Sequence, residues 1–500
     1  MAGFIEIHSN GHNPRGSTRT DTFLGQHPEY AATHRIDELR RTEYSYLDRG
    51  GHTYLDYTGA GLAACAQYRA HSTRLYGGCY GNPHSASPAS VMTTELIEHT
   101  RAAVYKHFNA SPADYAVVFT ANATAACKIV GESYPFGRAT RCVLTADNHN
   151  SVHGIREFAR ATGARVVYVP IDGSDLRVTD AAVGTALGRR TPNRAPGDRP
   201  TRKRGLFAYP AQSNFTGVQH PLDWVDLAHD RGYDVLLDAA AYLPTNELDL
   251  SRVPADFVAV SWYKLFGYPT GIGCLIARRT ALSRLHRPWF SGGTIKAASA
   301  QGGWHRQADG AGGFEDGTVN FLAIPDVEFG LRWLHEIGFE VIKQRTQCLL
   351  EWLLNRLTSL RHDSGVPLVR IYGPKDTDRR GAAVAFNILD PASNIVDERL
   401  VARESAAAGI SLRTGCFCNP GAGEAAFGIT RSALVELADR PFTDIDDYLT
   451  ALNLPSGGAV RVSLGLVTNI EDILRFVDFV DTTYRNRRAT PAELPPRESC

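Results

Sequence analysis

The sequence predicts an α/β protein with a mainly parallel, seven-stranded sheet buried on both faces, followed by a smaller α+β domain. Three observations point there. Seven short apolar runs alternate with helix-patterned segments between Arg101 and Ala277. The runs are nearly continuous in apolar residues rather than alternating, as strands covered on both faces require. After Ile324 the pattern changes to long helical periodicity and then to shorter strands.

Taken in order, residues 1–50 are polar at first and turn helical from about Ala31, so they read as an arm and a helix with little core of their own. Tyr54-Leu-Asp-Tyr-Thr reads as a short strand. The runs VVFT (117–120), RCVLTA (141–146), RVVYVP (165–170), GLFAYP (205–210), DVLLDAA (234–240), FVAVSW (257–262) and GIGCLIA (271–277) define a large domain over 51–325. Within it, 189–204 (RRTPNRAPGDRPTRKR) carries proline, glycine and charge but no periodic apolar residue, and reads as a solvated surface insertion. A long three-and-four spacing of apolar residues then leads into LVRIYG, AAVAFNIL and AVRVSLG, a small domain over 326–487. Residues 488–500 read as a frayed tail.

Composition narrows the function classes. Among 500 residues, 53 are Lys or Arg and 53 Asp or Glu, so no net charge points to nucleic acid or a membrane surface. No apolar run is long enough to cross a bilayer, and the first residues lack a basic segment followed by an apolar one. Nine sparse cysteines, an odd number, fit reduced thiols, and a cytoplasmic location is expected. Cys416 and Cys418 have no second Cys/His pair at a zinc spacing, so no metal is expected.

Lysine is rare, which gives each one a stronger claim to a specific task. Lys264, in SWYKLFGYPTGIG, follows directly on an apolar strand. An amine there must find an anion, deprotonate or react, because burying an unpaired ammonium is costly. A depressed pKa and Schiff-base chemistry with pyridoxal phosphate fit that position. Asp238, at the end of another strand, is the candidate partner for the pyridine nitrogen, although a helix cap is its bland reading. Thr124, in FTANATAA, puts a hydroxyl at a helix N-terminus suited to a phosphate. His149 (TADNHNSV) is a candidate for stacking on the ring, and Asn214 (PAQSNFTG) for its 3-oxygen.

Together these residues resemble the class V aminotransferase (cysteine desulfurase) family, most closely the N-terminal domain of molybdenum cofactor sulfurases. The likeness runs from about Tyr54 to Val480 through YLDYTGAG, YGNPHSASPAS, DYAVVFTANATAA, LLDAAAY, SWYKLFGYPTGIG, FEDGTVNF, LRTGCFCNPGAGE and VRVSLG. The resemblance implies a fold-type I pyridoxal phosphate enzyme. It implies that Lys264 carries the cofactor, His149 stacks on it, Asp238 pairs with its nitrogen and Asn214 sits near its 3-oxygen. Ala123, Thr124 and Ser261 are implied to hold the phosphate, and Thr318 to reach the phosphate of a partner subunit, hence a homodimer. Arg461 is implied to clamp the substrate carboxylate, with Arg413 as a second anion binder and Asn82 and His84 near the substrate mouth. Cys418 falls where desulfurases place the thiol that becomes a persulfide, with Cys416 as its rival.

The chain departs from the family pattern at three places. Tyr263 stands where desulfurases often have histidine before the lysine, Ala241 where they have glutamine, and Gly423 where sulfurases usually continue NPGAC. With the chain ending at Cys500, no second cofactor-recognising domain is expected. The expected reaction takes sulfur from L-cysteine or a related amino acid onto Cys418, releases alanine and passes sulfur to an acceptor protein. A C–S lyase or epimerase that needs Lys264 without Cys418, and a noncatalytic sulfur-relay partner, are the alternatives.

Overall fold

The computed structural model describes residues 14–188, 205–454, 456–488, 494, 496 and 497. The expected surface insertion at 189–204 lies outside the described residues. The strands are β1 (Thr53–Tyr54), β2 (Tyr115–Thr120), β3 (Arg141–Thr145), β4 (Arg165–Val169), β5 (Gly205–Pro210), β6 (Tyr233–Asp238), β7 (Phe257–Ser261) and β8 (Gly273–Arg278). There follow β9 (Ile295–Ser299), β10 (Trp304–Gln307), β11 (Val369–Tyr372), β12 (Ala383–Ile388), β13 (Ile410–Ser411), β14 (Arg413–Gly415) and β15 (Ala459–Ser463).

The large sheet has the order β2-β8-β7-β6-β5-β3-β4. Strands β7, β6, β5, β3 and β4 pair in parallel, and β8 runs against both β7 and β2. Successive residues of one strand serve opposite faces. In β2, Tyr115, Val117 and Phe119 enter one core while Ala116 and Val118 enter the other. In β7, Val258 and Val260 take the first side and Phe257 and Ala259 the second. That two-sided burial is why these strands read as unbroken apolar runs.

The smaller sheet is antiparallel in the order β11-β12-β15-β14 and covers a core built on Leu353, Phe386, Val460 and Phe476. One expected domain limit is shifted by packing. Helix Pro325–Ile337 contributes Val327, Leu331 and Leu334 to the large-domain core, so the expected boundary at 326 cuts through it. Helix Phe339–Ser359 begins in that core with Phe339 and Ile342 and ends in the smaller one, which makes it the bridge between them. The N-terminal arm, expected to have little core of its own, packs Phe23 and Tyr30 into the small-domain core, and β1, which follows it, pairs in parallel with β13. The tail is held at Arg497, whose Nε donates to Glu398 Oε1 at 2.7 Å and Nη2 to Asp397 Oδ2 at 2.9 Å.

Candidate active site

The parallel strands converge at their carboxyl ends, where open α/β sheets bind ligands. One cavity there is lined by Asn122, Ala123, Thr124, Cys127, His149, Ser151, Pro210, Gln212, Asn214, Asp238, Ala240, Ala241, Ser261, Tyr263 and Lys264. Eight expected residues therefore meet in one place: Ala123, Thr124, His149, Asn214, Asp238, Ser261, Tyr263 and Lys264. They come from the ends of β2, β3, β5, β6 and β7, which no local sequence pattern brings together.

The anion end is set by helix Ala123–Ser133. Its N-cap, Asn122, accepts from the Ala125 amide at 2.9 Å, which leaves the first-turn amides of Ala123 and Thr124 facing outward. Strand β8 presses so close that a Cβ on Gly273 would lie 2.6 Å from the Asn122 carbonyl carbon; only glycine fits. Ser261 Oγ is buried with no hydrogen-bond partner among the described residues. A buried hydroxyl in that state is costly unless a ligand completes it.

His149 Nδ1 accepts from the Ser151 amide at 3.1 Å and lies 2.9 Å from the Ser151 hydroxyl, which in turn lies 2.7 Å from Thr124 Oγ1. Because the amide can only donate, Nδ1 carries the lone pair and the neutral ring keeps its proton on Nε2. Burial lowers the His149 pKa, which keeps the ring neutral. Asp238 Oδ1 accepts from the Ala240 amide at 3.0 Å. Burial likewise pulls the Lys264 pKa below that of an ordinary lysine, with Asp238 opposing. Such a lysine is a better nucleophile near neutral pH. Its short helix, Trp262–Phe266, is wedged in place: a Cβ on Gly330 would lie 2.4 Å from the Phe266 ring, and the Gly61 amide donates to Tyr263 O at 3.0 Å.

Cys418 does not line this cavity but is tied to its rim. The Asn150 amide donates to Cys418 O at 2.7 Å, and Asn214 Nδ2 donates to Phe417 O at 2.8 Å. Asn419 Nδ2 bridges Asp147 O at 2.7 Å and Asn214 Oδ1 at 2.9 Å. Asn214, expected near a ring oxygen, thus spends both ends of its amide on the cysteine loop. Cys418 is a free, partly exposed thiol, whereas its rival Cys416 is not among the free thiols.

Arg461, buried under the same loop, donates from Nη1 to Asn214 O at 2.8 Å and lies 4.7 Å from the Phe417 ring centroid. Sequence reasoning missed its counter-charge. Asp56, from the motif YLDYTGAG, takes Arg461 Nη2 on Oδ1 at 3.1 Å and Arg413 Nη2 on Oδ2 at 2.7 Å. The two expected anion binders are therefore spanned by an internal carboxylate, while Arg461 Nε is buried without a hydrogen-bond partner among the described residues. Gly59 permits this, since a Cβ there would lie 2.5 Å from Asp56 Oδ2. Asp56→Ala leaves the Arg461 guanidinium buried and uncompensated, with an expected loss of about 3–5 kcal/mol of folding stability. Chemical denaturation measures it; an unchanged midpoint contradicts the assignment.

Asn82, His84 and Thr318 do not line the Lys264 cavity. Asn82 Nδ2 donates to Thr318 Oγ1 at 3.2 Å, and a Cβ on Gly293 would lie 3.2 Å from the His84 ring, so the three form a separate group. Thr318 instead lines a neighbouring cavity with Ala121, Lys128, Gly271 and Asp316. Asn122, Ser151 and Gln212 were missed as lining residues; the strand-end positions of Asn122 and Gln212 were the available signal.

With this geometry in place, comparison with known proteins defines the class. The family model of aminotransferase class-V matches residues 53–476, and the chain belongs to that family. It is 34% identical to the molybdenum cofactor sulfurase of Solanum lycopersicum, over 92% of this chain and 59% of that protein. It is 34% identical to the Homo sapiens molybdenum cofactor sulfurase, over 90% of this chain and 51% of that one. The chain thus spans between half and three-fifths of the length of these relatives. Among solved structures, the cysteine desulfurase of Thermococcus onnurineus NA1 superposes with a TM-score of 0.72 at 22% identity, covering 90% of this chain and 98% of that one. The cystine C–S lyase C-DES, in complex with its product cysteine persulfide, superposes with a TM-score of 0.64 at 21% identity, covering 86% and 97%.

Proposed function

We propose that this chain is a pyridoxal phosphate-dependent cysteine desulfurase-like sulfurtransferase that moves sulfur from L-cysteine, or a related sulfur amino acid, onto Cys418 and releases alanine. One observation carries the reading: Lys264, Asp238, His149 and the Ala123–Thr124 amides share a cavity whose rim holds the loop of a free thiol. The residues fit the cofactor. Ser261 Oγ lacks, among the described residues, a partner that a phosphate would supply, Asp238 brings a carboxylate for a pyridinium N–H, and Gly273 leaves backbone room at the phosphate end. When bound, pyridoxal phosphate supplies an electron sink that acidifies the substrate α carbon.

The chain's own groups do the rest. The amine of Lys264, with its lowered pKa, accepts the α proton and returns protons to the β carbon and then the α carbon, the second proton being the one the Cys418 thiol gives up. Arg461 and Arg413 provide the cationic pair for the substrate carboxylate, with Asp56 setting their spacing. Cys418 Sγ attacks the substrate sulfur: the Cβ–S bond breaks, an S–S bond forms, and the β carbon keeps the electron pair and is protonated. Cysteine plus thiol gives alanine plus persulfide, with no outside oxidant. Supplying L-cysteine and scoring products tests this; alanine is expected, and pyruvate without alanine overturns the reading.

A homodimer belongs to the same proposal. Trp289, Phe290, Trp304 and Tyr76 are exposed, and Thr318 sits beside Asn82 outside the chain's own Lys264 cavity. The Phe290 ring stacks 4.4 Å from that of His305, the neighbour of Trp304, and exposed apolar side chains grouped in this way mark a contact surface. Light scattering coupled to size exclusion is expected to give twice the chain mass; a single-chain mass at micromolar concentration contradicts it.

A further inference from the structure

We infer that His27, Glu29 and Cys348 form a site for one divalent transition-metal ion of the zinc class, which clips the N-terminal segment to the long helix Phe339–Ser359. An imidazole nitrogen, a carboxylate oxygen and a thiol sulfur lie there within 4.8 Å of one another. Cys348 Sγ donates to Glu29 Oε1 at 3.2 Å, and His27 Nδ1 lies 3.5 Å from the same oxygen. Zinc takes sulfur at about 2.3 Å and nitrogen or oxygen at about 2.0–2.2 Å, so the edges of its tetrahedron measure roughly 3.3–3.6 Å. Two of the three edges already have about that length. No sequence spacing announces the site, because Glu29 and Cys348 stand 319 residues apart.

The surroundings suit an ion. His27 and Cys348 are buried while Glu29 faces solvent, which gives a floor and an entry path. The ring of Phe23 lies 5.1 Å from that of His27 and 5.5 Å from that of Trp352, so the floor is apolar. The turn bearing His27 and Glu29 is held without the ion: Gln344 Nε2 donates to Glu29 O at 2.8 Å and Arg345 Nη1 to Thr33 Oγ1 at 3.0 Å, both from the long helix. Ligands on pre-held elements cost little to organise. None of the three residues lines the Lys264 cavity. This site goes beyond the proposed sulfur chemistry and does not depend on it.

The test is equilibrium dialysis of the full chain against zinc, with elemental analysis, in a background carrying Cys65→Ala, Cys79→Ala and Cys418→Ala, which removes the free thiols that reach solvent among the described residues. One zinc per chain is expected, with binding weakened more than ~10-fold in Cys348→Ser and in His27→Gln. Zinc is expected to raise the thermal midpoint of the parent and not of Cys348→Ser. Cobalt substitution in the same background is expected to show a thiolate charge-transfer band in the difference spectrum, a readout that needs no further variant. Absence of that band, no retained zinc, or equal zinc binding by Cys348→Ser overturns the inference.

Discussion

Lys264→Ala is expected to abolish covalent attachment of the cofactor and to lower cysteine turnover by at least ~10³-fold, the range that one positioned acid–base group commands. The amine sits at the end of β7, in a helix wedged between Gly61 and Gly330, where burial lowers its pKa. The cations of the site, Arg413 and Arg461, cannot replace it, because a guanidinium is a poor base. Asp238, Thr124 and Ser261 remain in the variant, so noncovalent cofactor binding is expected to persist. Borohydride reduction followed by peptide mass measurement reads the first effect, and alanine release the second. A pyridoxyl adduct elsewhere, or turnover within tenfold of the parent, contradicts the role given to Lys264.

Cys418→Ala is expected to remove persulfide from the protein and to slow alanine formation by at least ~100-fold, since a thiol supplied from solution lacks the positioning the loop provides. Phe417 and Cys418 both adopt left-handed backbone, with φ of 55° and 53°. Each such residue costs roughly 1–2 kcal/mol for an L side chain. The loop is kept there by hydrogen bonds from Asn150, Asn214 and Asn419, which offset that cost. Strain held by surrounding contacts at a reactive side chain is a mark of a preorganised site. If Cys418→Ala turns over cysteine at the parent rate, the thiol is a bystander and C–S lysis without transfer is the better reading.

Much of this arrangement was legible in the sequence for local reasons. The seven strands of the large sheet are covered on both faces, so their apolar runs stand out, and polar residues at or just past the carboxyl ends of β2, β3, β5, β6 and β7 are those that meet in the cavity. Lys264, Asp238, Thr124 and His149 all follow that rule. What escaped is carried by contacts between distant segments. Asp56 reaches Arg413 and Arg461 across 357 and 405 residues, and nothing near YLDYTGAG signals an ion pair. The hairpin β9–β10 was not seen because its exposed residues, IKAAS and WHRQ, lack any buried alternation. The packing of Phe23 and Tyr30 into the small domain, and the three donors around Cys348, depend on a helix more than three hundred residues away.

The most direct measurement follows sulfur-labelled L-cysteine through a single turnover and reads the peptide that spans residues 413–424 by mass spectrometry without reductant. The account predicts the labelled sulfur on Cys418 and one alanine for each sulfur bound. Labelled sulfide in solution, pyruvate in place of alanine and an unmodified Cys418 would contradict it.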